Sequence, residues 1–325
     1  MKEYRGIYIA WVRFQRRAES IARMLDLQVI YVPKPFGHRV LLPISYLVQG
    51  ARTLRSLWLH RHAPSIWVQV PPTFLIYGLW IMRPFMPNVR FVMDCHNSAF
   101  RGLWARVPGF VRLGARLGQV VVHNEEVRKS VSHMLPGRLA YVVTDPPAHL
   151  SCNSASAFGT VAASSVIVPC SFAADEPIDV LIQAAVLCPE ITWYVTGSRS
   201  KAIAKGFVSK APGNVVFTDY LSLDSFNTLF LRVDGVVGLT SAEGIQLSVA
   251  NEAVGAGKAL LLSDTSILRE MFSEAASFTP NSPKELAAAA RLLVLHRDQG
   301  EARSVILSQK RKHIWLAEAK AAGLT

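Results

Sequence analysis

The chain has 325 residues, 50% of them hydrophobic and only 18% charged, with 35 Lys and Arg against 23 Asp and Glu for a formal net charge of +12. That length allows two α/β domains of about 150 residues each, and that composition excludes a disordered or highly charged solvating protein. The positive balance asks for an anionic partner: nucleic acid, anionic lipid or a phosphorylated substrate. Cys95, Cys152, Cys170 and Cys188 form no CxxC pair and no metal-ligand spacing, so they read as reduced, mostly buried thiols in a cytoplasmic protein.

Only a short apolar run precedes Arg13, which reads as a first strand, Ile7 to Val12, rather than a signal peptide. Arg13-Phe-Gln-Arg-Arg17 then leads into a helix with Ala18, Ile21, Ala22 and Leu25 on one face. Arg13, Arg16 and Arg17 stand at a carboxyl edge, placed to meet a phosphorylated acceptor, with a solvated helix start as the alternative. Gln28 to Val32 is the second strand. From Arg39 to Arg61, arginines 39, 52, 55 and 61 mix with Leu41, Leu42, Ile44, Tyr46, Leu47, Leu57, Trp58 and Leu59. Such a helix can be half core and half membrane surface, although core packing explains its apolar residues without lipid.

Ile66 to Val70 is a strand stopped by Pro71-Pro72, neither of which can donate to a ladder. An apolar helix, Phe74 to Met82, follows. The next strand, Arg90-Phe-Val-Met-Asp-Cys-His-Asn97, ends in three polar residues, and period-two alternation puts Asp94 and His96 on the same side. Residues 101 to 119 hold four arginines among Trp104, Phe110 and several leucines, the segment best suited to a membrane surface or acceptor. Nucleic-acid binding would use the same ingredients, but zinc ligands, an RNP-like sequence and a helix-turn-helix are lacking. Val120-Val-Val-His-Asn124 is a strand with a polar exit, Glu125 to Met134 a helix, and Tyr141 to Pro147 closes the first half. His149 to Ser165, rich in Ser, Ala, Asn and Gly, has the composition of a flexible connection. The expected domains are therefore residues 1–150 and 151–300.

The second half alternates strand and helix: Val166 to Val168, Ile178 to Leu187, Trp193 to Gly197, Asn214 to Tyr220, Leu223 to Leu231 and Val233 to Leu239. Gly197 turns after its strand, with Arg199 and Lys201 placed to meet a diphosphate. After Leu239 comes a polar loop, then Ile245, Val249, Ala253 and Val254 at helical spacing, then Gly255 and Gly257 before the strand Ala259 to Leu262. This βαβ unit puts its loop at the carboxyl edge of a parallel sheet, where open α/β folds bind ligands. Backbone N–H groups of Gly244, Ile245 and Gln246, at the expected helix start, suit a diphosphate. Glu252, further along the helix, suits a pair of ribose hydroxyls. Asn281 to Leu295 and the tail from Glu301 read as helices.

The run Glu-Gly-Ile-Gln…Asn-Glu-Ala-Val-Gly-Ala-Gly-Lys from Glu243 to Lys258, closed by Leu-Ser-Asp264, resembles the donor-sugar motif of GT-B glycosyltransferases. Val-Gln-Val-Pro-Pro72 followed by Asp-Cys-His-Asn97 is similar to signatures of the chitobiosyl-lipid β-mannosyltransferases, with related segments in family 4-type bacterial exopolysaccharide transferases. The resemblance implies two Rossmann-like domains facing across a cleft, with residues 301–325 forming a helix that crosses back to the first domain. It assigns the donor to Gly197, Arg199, Lys201, Glu243, Gly244, Ile245, Gln246 and Glu252. The acceptor falls to Arg13, Arg16, Arg17, Pro72, Asn97 and His123, and the catalytic base to Asp94 or His96. Two departures stand out: the motif's glutamates are eight apart whereas Glu243 and Glu252 are nine apart, and Ser171 to Pro177 lacks the Arg/Lys pair that grips the diphosphate. Neutralisation then falls to the helix start, Arg199, Lys201 or Lys258.

The implied activity is transfer of a hexose from a UDP- or GDP-sugar to a hydroxyl of a lipid-linked or polysaccharide-precursor glycan. The implied place is the cytoplasm, in peripheral association with the anionic inner membrane surface, without nucleic acid. No cofactor or metal is called for, since no Asp-x-Asp triplet occurs. The alternative is a non-catalytic partner subunit with a degenerate donor site. A dehydrogenase or epimerase is disfavoured because neither GxGxxG nor a Walker loop is present.

Overall fold

The computed structural model describes residues 4–100, 102–132, 140–151 and 158–325; Arg101, Met134 and Cys152 lie outside this set. The chain divides into two compact units, Met1–Pro146 with His313–Thr325, and Pro147–Lys312.

In the first unit, β1 (Gly6–Ala10), β2 (Leu27–Tyr31), β3 (Ser65–Val70), β4 (Arg90–Cys95), β5 (Gly118–Val122) and β6 (Tyr141–Val142) form one sheet in the order β2-β1-β3-β4-β5-β6. Every pairing is parallel. A parallel sheet covered on both faces needs near-continuous apolar strands, and these strands have them. Ile7, Ile9, Val68, Phe91 and Met93 pack on one face with the helices Leu75–Met82 and Phe110–Leu117. Tyr8, Trp67, Val92 and Val121 pack on the other with the helix Arg16–Leu25 and with Trp315 and Ala319 near the chain's end.

In the segment 101–119, Leu103 is exposed at 76% while the helix Phe110–Leu117 joins the core. Phe110, Val111, Ala115 and Leu117 are core residues, because the helix turns its apolar face to the sheet and its arginines outward.

In the second unit, β7 (Ser165–Pro169), β8 (Thr192–Thr196), β9 (Val215–Asp219), β10 (Gly235–Gly238), β11 (Ala259–Ser263) and β12 (Ser277–Thr279) give the order β12-β11-β10-β7-β8-β9, again all parallel. One face carries the helices Ile178–Leu187 and Pro283–Leu295, the other Leu223–Arg232, Ser248–Gly255 and Ser266–Phe272. A 25-residue helix, Arg297–Ala321, closes the chain. Strand order reverses between β1 and β3 in the first unit and between β7 and β10 in the second. At such a switch point the loops leaving the two strands diverge and open a crevice for ligand at the carboxyl edge.

Among the described residues, no helix is long and apolar enough to cross a membrane.

Candidate active site

In the first unit, the loops after β1, β4 and β5 bring Gln15, Arg17, Asp94, His96 and His123 together. Asp94 is completely buried at the end of β4. Arg17 donates to it from Nη2 at 2.9 Å and from Nε at 3.0 Å, and the Tyr8 hydroxyl donates at 2.6 Å. The same guanidinium donates to the carbonyls of Val143 and Thr144, both at 2.9 Å, and pairs with Asp145. Burial alone would push the Asp94 carboxyl up; Arg17 first and His123 second outweigh it and hold the group well below the usual carboxylate range.

This geometry corrects two expectations. Arg17 is 7% exposed and its donors are committed to Asp94, Asp145 and backbone, so it is not an acceptor contact. Asp94, ionised and already receiving three donors, is not suited to the base role; it fixes Arg17 and Tyr8.

His96 is the remaining candidate base. Its Nε2 is hydrogen-bonded to the Gln15 side-chain amide at 2.8 Å, and its ring meets that of His123 edge-on with centroids 4.4 Å apart. Burial, with a contribution from Arg17, lowers its pKa, so the imidazole is neutral and able to take a proton near pH 7. His123 Nε2 lies 3.8 Å from Asp94 Oδ1. Burial first, and Arg17 next, hold the His123 imidazole down to about 4.

Asp94, His96 and His123 offer ligand atoms within 4.8 Å of one another. A cation there would stand beside the Arg17 guanidinium, which already claims both oxygens of Asp94, and would meet like-charge repulsion at close range.

The other acceptor-side residues scatter. Arg13 is exposed, Arg16 stacks on Phe14 with its Cζ 4.9 Å from the ring centroid, and Asn97 opens the 3-10 helix Asn97–Phe100. Pro72 is buried, so it offers no open surface to an acceptor.

In the second unit, the switch-point loops follow β7 and β10. Asp175 ties them together, accepting from Thr240 Oγ1 at 2.8 Å and, through its carbonyl, from Ser241 N at 2.7 Å. Glu176 accepts from the backbone N–H of Ser171 at 3.0 Å and of Ala173 at 2.9 Å. The Asp-Glu pair that replaces the expected cations therefore serves the loop's own amides.

The helix after β10 begins at Ser248, not at Gly244 to Gln246. Gly244, at φ +77°, sits in an exposed turn, and Ile245 and Gln246 continue the loop beyond it. A residue in that left-handed conformation breaks the helical path, which is why apolar spacing alone started the helix too early. Glu252 lies on the second turn of the helix and is half-buried. Glu243 accepts from Ser266 N at 3.1 Å and Ser266 Oγ at 2.6 Å, capping the next helix rather than standing open. Asn251, at the eighth position where the motif places its second glutamate, accepts from Arg311 at 2.8 Å.

Gly197 has φ +131°, and a Cβ there would lie 2.1 Å from the Cys170 carbonyl oxygen, so the loops after β7 and β8 meet only because this residue is glycine. Arg199 is exposed beside it, and Lys201 donates to the Ser171 carbonyl at 3.3 Å. Lys258 is eliminated as a diphosphate partner. It precedes β11 at the amino edge, is 8% exposed and pairs with Glu301 at 2.6 Å. A cavity of about 760 Å³ at that amino edge is lined by residues 158–163, Arg232, Asp234 and Arg297, and includes no expected site residue.

Two parallel six-stranded sheets with these switch points define the GT-B fold of glycosyltransferases. The chain is similar to the Anabaena protein HepE solved in complex with UDP, at 12% identity and TM-score 0.57, covering 98% of this chain and 100% of that one. The same protein solved with UDP-glucose gives TM-score 0.56 at 12% identity, again with 98% and 100% coverage. Sucrose-phosphate synthase from Thermosynechococcus elongatus matches at 11% identity and TM-score 0.57, covering 98% and 97%. At these identities the likeness is one of fold. No protein family and no curated protein matches the sequence.

Proposed function

We propose that the protein is a glycosyltransferase that moves a hexose from a nucleoside diphosphate sugar to an acceptor hydroxyl. The observation that carries this reading is the fold shared across 98% of the chain with a protein solved with UDP-glucose bound. The donor is read as a UDP-sugar, with a GDP-sugar as the competing substrate in the test below. The acceptor is read as a lipid-linked or polysaccharide-precursor glycan at the inner membrane surface.

In this proposal Glu252 accepts hydrogen bonds from the ribose hydroxyls. The amides of Gly244 to Gln246, with Arg199, meet the diphosphate. His96 takes the proton of the attacking hydroxyl as its oxygen bonds to the anomeric carbon, and the bond to the nucleoside diphosphate breaks. Asp94 and Arg17 hold the loop that carries Gln15, and Gln15 orients His96. The reaction is proposed to need no divalent metal, the leaving charge being met by backbone N–H groups and Arg199.

A thermal-shift series against UDP, GDP and their sugars, followed by a hydrolysis assay with and without chelator, tests the reading. One nucleotide should raise the melting temperature in proportion to its saturation, and Glu252→Ala should remove the shift. Absence of any shift and any turnover would leave the non-catalytic partner subunit as the better account. The engagement of Glu243 with Ser266 is the observation that favours that second reading.

A further inference from the structure

The helix Leu42–Leu59 is built inside out. Its buried stripe is Ser45, Gln49, Thr53 and Leu57, with Ser45 and Gln49 both 0% exposed. The polar members bond inward: Gln49 donates to the Val32 carbonyl at 2.5 Å while its Oε1 is buried without a partner, Ser45 donates to the Phe36 carbonyl at 3.3 Å, and Thr53 accepts from the Trp11 indole at 2.8 Å. The apolar residues point the other way. Val40, Ile44, Leu47, Ala51, Leu54 and Trp58 recur in alternating steps of four and three, and all six are exposed, Leu47 at 74%. That spacing is one continuous stripe on a helical surface.

Neighbouring elements extend the stripe. Leu54 lies against the helix Leu75–Met82 at Gly78, and the Trp58 ring packs edge-on against exposed Phe85 with centroids 5.8 Å apart. Water is a poor medium for such a face, since scattered exposed leucines are ordinary but a contiguous apolar patch marks an interaction surface.

Charge decides what covers it. Between Leu27 and Asn124 the sequence has eleven lysines and arginines and a single acidic residue, the buried Asp94. Arg52 and Arg55 are exposed on the same helix, and the Arg61 guanidinium stacks over Trp58 at 4.9 Å. A second copy brought up to this face would set the same cations against each other. A bilayer with anionic headgroups offers the complement: acyl chains for the stripe and negative charge for the arginines around it.

We infer that the helix Leu42–Leu59, with Phe85, lies in the interface of an anionic membrane and docks the first unit there. The inference deepens the membrane-surface part of the function proposed above and is independent of the donor chemistry.

The test is sedimentation of the full chain with phosphatidylcholine vesicles and with vesicles also containing phosphatidylglycerol. The chain should pellet with the anionic vesicles only. Raising salt from about 0.1 M to about 1 M shortens the Debye length from about 10 Å to about 3 Å and should weaken binding. The triple variant Leu47→Glu, Leu54→Glu, Trp58→Glu changes exposed positions only and should lower vesicle partitioning at least about tenfold. Its thermal shift with UDP should match that of the unmodified chain. Hydrogen exchange of the unmodified chain provides a readout that needs no variant: amides of 42–59 should slow on adding anionic vesicles. Equal binding to both vesicle types, no binding, no change in the triple variant, or a dimer of the unmodified chain that the variant abolishes would each overturn the inference. Loss of the UDP response in both proteins with vesicle binding intact would refute the donor reading alone.

Discussion

Arg17 and Asp94 form a two-pronged ion pair inside the first unit, Nη2 to Oδ1 at 2.9 Å and Nε to Oδ2 at 3.0 Å, with the two side chains 6% and 0% exposed. The pair joins the first helix to the end of β4, and Gln15 and His96 stand on either side of that junction.

Removing one partner should therefore cost more than the pair is worth. Arg17→Met or Asp94→Leu alone strands a buried charge and should destabilise the protein by about 3–5 kcal/mol. The double variant should recover much of that loss. Chemical denaturation of the four proteins measures the coupling; additive losses would show the two sites to be independent.

The imidazoles make stability depend on pH. His123 is held down from 6.5 to about 4, by burial first and Arg17 next, and burial lowers His96 in the same direction. The unfolded chain binds these protons more readily, so stability rises with pH where the two states differ. It should be fully present above 6.5 and decline as pH falls toward 4. Denaturant midpoints across that window should show the slope, and His123→Gln should flatten it.

If His96 is the base, His96→Asn should lower kcat about 10²–10⁴-fold while leaving nucleotide binding intact. Initial rates paired with a nucleotide thermal shift separate the two effects. A parallel loss of both would point to a structural role instead.

Glu252→Gln should weaken nucleotide affinity by about 10- to 100-fold, the weight of one or two charge-assisted hydrogen bonds at about 1.5–3 kcal/mol. Titration calorimetry with UDP measures it. A deoxyribose analogue should lose affinity for the unmodified protein and gain no further penalty from the variant.

Gly197→Ala should destabilise the second unit by more than about 1 kcal/mol, because the residue sits at φ +131° and its methyl would clash with Cys170. A melting curve checks it, with Gly213→Ala, where a Cβ meets nothing within 4 Å, as the reference.

Much of the fold was legible from chain order alone. Buried parallel strands announce themselves as apolar runs, and Val-Val-Val122 or Leu-Leu-Leu262 allow little else. The meeting of Asp94 with His96 followed from alternation. The partners of Asp94 did not, because Arg17 is 77 positions away in a sequence crowded with arginines, and only the sheet order picks it out. Gln15 likewise carried no signal: an amide beside two arginines looks like solvated surface. In the second unit the place of Glu252 on a helix was readable from apolar spacing, while the fate of Glu243 depended on Ser266, which lies beyond the next strand. The helix Leu42–Leu59 was the hardest case. Its mix of arginines and apolar residues reads as half core and half membrane surface, but nothing local says which half faces in, since Ser45 and Gln49 have carbonyls and Trp11 has Thr53 waiting inside.

The last helix has a consequence for how the polypeptide is made. Trp315, fully buried, packs with Tyr8 and Trp67, Glu318 accepts from Thr144 N at 2.8 Å, and Arg90 and Gln119 donate to the carbonyls of Gly323 and Ala322. The sheet that begins with Gly6 therefore stays open on one side until residues past 312 have left the ribosome. The second unit also draws on late residues, Leu286, Leu293 and Leu307, for its core, so neither half completes its packing until the last helix has emerged.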